Sequence, residues 1–182
     1  LAGEAQKVGS MEEFTLLDFI LAQEGRLGNE GDKGEQESAA ETIENNIRKK
    51  IVERMLINPA YYEKMSAILE RLILDRRQSV IAYARLLETY TALAKNVVTP
   101  ERNEQYPKSI CASGPLRAFY DNCGRDEELA IRLHRVIVKA RQEGFRNNQV
   151  KENRIKRAIY DIFHDDDEVE RIYRIVVEQE DY

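Results

Sequence analysis

Tryptophan is absent from the 182 residues, and cysteine (two), histidine (two), proline (four) and glycine (nine) are scarce. Two cysteines, Cys111 and Cys123, are too few for a disulfide scaffold and suit a reducing cytosol, so a cytoplasmic location is the expectation. No apolar run approaches the roughly 18–20 residues of a membrane span, which excludes an integral membrane protein built on such spans. Low proline and glycine argue against a protein of many strands and turns. What remains is abundant charge, 34% against about 25% in an average domain, beside 42% hydrophobic residues. That combination describes long amphipathic helices around a packed core rather than a disordered chain. The chain opens Leu1-Ala2-Gly3-Glu4, with neither an initiator Met nor a signal peptide, and is expected to be a piece of a longer polypeptide.

The net charge of −5 conceals segregation: residues 1–46 carry −8, 47–131 carry +3, 132–160 carry +7 and 161–182 carry −7. An acidic chain is a poor bulk binder of nucleic acid, yet a local stretch of +7 can touch phosphates. The plainer account is that this stretch pairs with its acidic neighbours on solvated helix faces.

Helical spacing organises the chain. Met11–Gln23 reads as a short first helix, with Ser10 as cap, Glu13 three residues on, and Phe14, Leu17, Ile20 and Leu21 on one stripe. Four glycines between Gly25 and Gly34 make residues 25–37 a flexible acidic linker, lacking the Lys-Ser/Thr of a phosphate-binding loop. Thus residues 1–24, 25–37 and 38–182 form a short helix, a linker and a C-terminal helical domain. Ser38–Ile57 predicts a helix with Ile43, Ile47, Ile51, Met55 and Val52 on its apolar side. Asn58-Pro59 supplies a cap and a proline at the first helical position. From there the pattern runs to Val98: Tyr62, Leu69, Tyr83, Tyr90 and Val97 share one heptad position, and Ile73, Val80, Leu87 and Ala94 another. A straight helix over 59–98 would be about 57 Å long at 1.5 Å per residue. It therefore either protrudes or bends near Arg76-Arg77-Gln78-Ser79, where Arg76 interrupts the stripe. Thr99–Ile110 reads as a loop. Further helices start at Ser113-Gly114-Pro115, at Asp126, at Asn147-Asn148 and at the acidic run Asp165–Glu168, whose carboxylates complement a helix dipole. The fold class is all-α: an irregular helical bundle with one long or kinked amphipathic helix over about 59–98.

Residues of catalytic type are present without the spacing that chemistry requires. No carboxylate follows an apolar strand in an acid-x-Lys arrangement, and Cys111, Cys123, His134 and His164 lack zinc spacing. There is no nucleophile elbow and no ATP-binding motif. Asp165, Asp166 and Asp167 suit a helix start better than a metal. The segment therefore reads as non-catalytic and as holding no cofactor or metal of its own. Its one asymmetry is the cluster Arg146, Lys151, Arg154, Lys156 and Arg157, a candidate contact for a partner or for phosphate. Asn147 and Asn148 turn the chain just ahead of it.

The blocks Asn58-Pro-Ala-Tyr-Tyr-Glu-Lys-Met-Ser66 and Arg76-Arg77-Gln78, then Tyr106-Pro107, then Leu116-Arg-Ala-Phe-Tyr-Asp-Asn122 and Glu127-Glu-Leu-Ala130, then Gly144-Phe-Arg-Asn-Asn-Gln-Val-Lys-Glu-Asn-Arg154, occur in that order. In this the chain resembles the helical C-terminal region of type I restriction enzyme R (HsdR-type) subunits, over about residues 47–180. Single blocks are unspecific; their shared order carries the likeness. The chain departs from the family at Arg146-Asn147-Asn148, where relatives often have Trp-Arg-Gly-Asn. The resemblance implies a parent ATP-dependent DNA translocase and type I site-specific deoxyribonuclease, whose nuclease and motor domains, with their ATP and Mg2+, lie N-terminal to this segment. It implies that this segment is a non-catalytic assembly domain docking the motor subunit onto the methyltransferase and specificity subunits, with DNA reached through the parent enzyme. Two other readings stay open: a DNA-binding module using the five cations above on phosphates, and an unrelated helical dimerisation or interaction protein with 59–98 as its seam.

Overall fold

A computed structural model describes residues 18–20, 32–103 and 105–182. Asp18–Ile20 are helical and Ile20 is fully buried; the rest of the expected first helix and most of the expected linker lie outside the described residues. Every regular element among the described residues is a helix, and the protein is an all-α irregular bundle. No helix among them is long and apolar enough to cross a membrane.

The helices are α1 (Lys33–Arg54), α2 (Pro59–Arg77), α3 (Tyr83–Val98), α4 (Lys108–Cys111), α5 (Gly114–Asn122), α6 (Glu127–Ala140), α7 (Gln149–Phe163) and α8 (Asp166–Val177), with a 3-10 turn at Pro100–Arg102. The described residues fall into two compact units, one of those up to Glu53 together with 62–103, the other of 54–61 together with 105–182.

In the first unit, α1 begins at Lys33 rather than at Ser38. The glycine and acids that read as linker are tolerated there because Glu35 meets the positive end of the helix dipole in the first turn. Ala40, Ile43, Ile47 and Ile51 make its buried stripe, whereas Val52, expected on the same side, is 65% exposed, and the helix ends at Arg54, before Met55. Tyr62, Met65, Leu69, Leu72 and Ile73 of α2 and Leu86, Leu87, Tyr90, Leu93, Ala94 and Val97 of α3 are buried likewise. The bend expected near Arg76–Ser79 is where α2 ends. Val80 N–H donates to Asp75 O (3.0 Å) and Ser79 N–H to Arg76 O (2.9 Å), a Schellman closure with Ser79 in the left-handed region at φ 54°. The break resets the register of the heptads, so Val80 stands 70% exposed although it shares a heptad position with buried Ile73 and Leu87.

The cause of the interrupted stripe is Arg76, whose guanidinium takes an apolar position and is buried. It grips Glu44 with two hydrogen bonds (2.7 and 3.0 Å) and reaches Glu37 at 2.9 Å, while the Tyr90 hydroxyl donates to the same Glu44 carboxylate. Three helices are thereby tied at one point, and each buried polar atom of the knot has a partner.

In the second unit, α5 to α8 pack consecutively, and α8 returns against α5 to close the bundle. Each helix start follows from a short polar side chain. Ser113, Asp126, Asn148 and Asp165 accept from the backbone N–H of Leu116, Leu129, Lys151 and Glu168 respectively. Phe119, Leu133, Ile137, Phe145, Ile155, Ile159 and Ile172 fill the centre.

Candidate functional site

The cluster Arg146, Lys151, Arg154, Lys156 and Arg157 lies on α7 and the turn before it. Arg146 donates to the carbonyls of Val177 (2.8 Å), Tyr182 (3.1 Å) and Gln179, a fork that holds the chain after α8. Its guanidinium also sits 4.7 Å from the centre of the buried Phe145 ring. Lys151 Nζ donates to Glu143 O at 2.7 Å. Lys156 pairs with Glu170 of α8 at 2.6 Å and lies 4.7 Å from the Tyr173 ring. Arg157 pairs with Asp161 one turn on at 3.1 Å, with both side chains largely exposed. Arg154 is exposed and makes no bond or ion pair with any described residue. Four of the five thus have partners inside the fold: Arg146, Lys151 and Lys156 tie α7 and the turn before it to neighbouring segments, whereas Arg157 is paired only within its own helix.

The turn itself follows from backbone strain relieved by side-chain choice. Asn147 has φ 63°, a left-handed conformation that asparagine tolerates better than most residues. Its N–H donates to Glu152 Oε1 at 3.0 Å while Asn148 caps α7. Glu152 therefore already occupies the positive end of this helix.

Sequence reading missed two polar constellations because their members are far apart in the chain. In the first, Asn58 Nδ2 donates to Asp121 Oδ2 (2.7 Å), and the Tyr106 hydroxyl donates to that same oxygen. Asn122 Nδ2 donates to Asn58 Oδ1 and to Ala118 O (both 2.8 Å), and Asn122 Oδ1 accepts from Ala60 N–H at 3.3 Å. Burial, reinforced by the Asp121 carboxylate, pushes the Tyr106 phenol far above its ordinary range, so it serves as a fixed donor. Tyr61 and Tyr120 flank the Tyr106 ring, each 6.1 Å away between centroids.

The second joins His134 to the chain end. His134 Nδ1 lies 2.6 Å from the Tyr182 hydroxyl and the two rings stack at 5.7 Å. Burial lowers the His134 pKa, with Asp181 opposing and Arg141 assisting. Buried Gln179 donates to Ile57 O (2.8 Å) and Ile175 O (3.1 Å), so the residues after α8 are bonded into the second unit.

His164 closes α7 in a left-handed conformation at φ 53° with its ring edge-on to Tyr160, which is a helix-ending role. Asp165 caps α8, and Asp166 and Asp167 stand in its first turn. Among the described residues no three His, Cys, Asp or Glu side chains converge as metal ligands would. Cys111 and Cys123 are free thiols, and burial pushes the Cys123 thiol up, which makes it a weak nucleophile.

No family model, no curated protein and no solved structure matches this chain.

Proposed function

We propose that this chain is a non-catalytic helical assembly domain of a type I restriction endonuclease R subunit, docking an ATP-dependent DNA-translocating motor onto its methyltransferase and specificity subunits. One observation carries the reading. Three of the sequence blocks that resemble the family supply the members of a single hydrogen-bonded network: Asn58 from the first, Tyr106 from the second, Asp121 and Asn122 from the third. Blocks that depend on one another physically are expected to occur together and in order, whereas unrelated chance matches need not meet. The departure at the turn also has a local explanation that supports the reading. Where relatives often have Trp-Arg-Gly-Asn, this chain has Phe145, buried in the core, and Asn147, at a positive φ that glycine adopts without strain. Under this reading, ATP, Mg2+ and the nuclease and motor sites belong to the parent polypeptide outside this segment.

The test is size-exclusion co-elution with the cognate methyltransferase–specificity complex, free of DNA, at low and moderate salt. Stable co-elution, weakened by charge reversal at Arg154 and Arg157, is the expected result. A chain that ignores the complex and runs as a stable dimer would overturn the assignment in favour of a self-associating helical module.

A further inference from the structure

The basic stretch contains a second set of cations, N-terminal to the Arg146–Arg157 cluster. Arg132, Arg135 and Lys139 stand three and four residues apart on α6, all exposed, so they form one line along its outer face opposite buried Ala130, Leu133 and Ile137. None of the three makes a hydrogen bond or ion pair with a described residue. Some exposed cations elsewhere are matched with acids on the same helix, as in Lys49–Glu53, Arg71–Asp75, Arg85–Glu88 and Arg157–Asp161. Arg77, Lys95, Lys108 and Arg174 are exposed without an acid partner among the described residues. Arg132, Arg135 and Lys139 differ in standing together on one face of one helix. Glu128, one turn ahead of Arg132, is the single acid on the line, and there it complements the start of the helix.

We infer that this ridge of α6 is a contact surface for the phosphate backbone of a nucleic-acid duplex. The line spans about 10 Å at 1.5 Å per residue, and a duplex presents about one phosphate charge per 1.7 Å of its axis. Two of the three cations are arginines, whose planar fork matches phosphate oxygens. Val138 is the one large apolar residue exposed on this helix, whereas an interface with an acidic protein is built around a dehydrated apolar centre. A phosphate backbone requires no such centre. The inference does not rest on the assembly reading, since it concerns this chain alone.

The experiment is fluorescence anisotropy of a labelled random-sequence DNA duplex with the whole chain, repeated from about 50 to 200 mM NaCl. Three phosphate contacts contribute about −2.7 to the log–log salt slope, which is about a forty-fold loss of affinity over that range. The variant R132Q/R135Q/K139Q, with helicity checked by circular dichroism, is expected to lose that part of the slope, and E128Q to bind more tightly. An unchanged slope in the triple variant, or no binding at low salt, would overturn the inference. Tighter binding to a polyglutamate peptide than to the duplex would also overturn it, and would assign the ridge to an acidic protein surface.

Discussion

The Glu44–Arg76–Tyr90 knot is the residue-scale feature with the largest expected energetic effect. Glu44 is 4% exposed, and it holds the guanidinium of one helix and the hydroxyl of another. Removing one partner of a buried pair costs up to about 3–5 kcal/mol, and less here because Glu37 still meets the guanidinium at 2.9 Å. Glu44→Gln should therefore shift the urea midpoint sharply downward. Replacing the group together, as E44L/R76M/Y90F, should recover most of that loss, because an apolar triplet leaves no polar atom unpaired. If the triple replacement were as unstable as Glu44→Gln alone, the burial argument would be wrong.

His134 gives a second residue-scale expectation, in pH. Its folded-state pKa lies below the unfolded value of about 6.5 because burial disfavours the imidazolium. The unfolded chain then binds more protons in that window, so stability rises with pH through it and is lost as pH falls below about 6.5. Thermal midpoints between pH 7.5 and 5.5 should decline in the wild type, and the decline should be shallower in His134→Gln. Equal pH dependence in the two proteins would remove His134 as the cause.

At the scale of elements, helix starts were legible in the sequence and some ends were not. Asn58-Pro59, Ser113, Asp126, Asn148 and Asp165 begin helices where short polar side chains predict it, since a cap is a local bond over three residues. Asp126→Ala should cost about 1 kcal/mol by loss of one such bond, measured by chemical denaturation. The end of α2 was harder to read because Ser79 occupies the left-handed position usually marked by glycine. Only the break in the stripe hinted at it. Ser79→Gly should stabilise the chain by up to about 1 kcal/mol by relieving that conformation; a loss of stability would show that the Ser79 side chain contributes more than its backbone costs.

At the scale of the molecule, the network of Asn58, Tyr106, Asp121 and Asn122 binds segments that are distant in sequence. A double-mutant cycle of Asn58→Ala and Asp121→Ala tests it directly. The pair is in contact at 2.7 Å, so the two losses should fail to add by about 0.5–3 kcal/mol. Simple additivity would mean that the bond has little weight in solution. Charge segregation is also resolved at this scale. The acidic segment after residue 160 neutralises few cations: Lys156 meets Glu170 and Arg157 meets Asp161, while Asp165–Glu168 serve the start of α8. Most of the basic stretch is engaged by carbonyls or faces solvent.

Composition and helical spacing by themselves determined the all-α class, most of the inward-facing residues and the capped starts, because each depends on residues within a turn or two of one another. Only the tertiary structure decided which cations are uncommitted. Arg146 and Lys151 looked available in sequence, yet they bond to carbonyls that the fold brings to them, while Arg132, Arg135 and Lys139 looked ordinary and remain exposed. A side chain's charge is written in the sequence, but whether that charge meets a partner depends on distances that only the packed helices set.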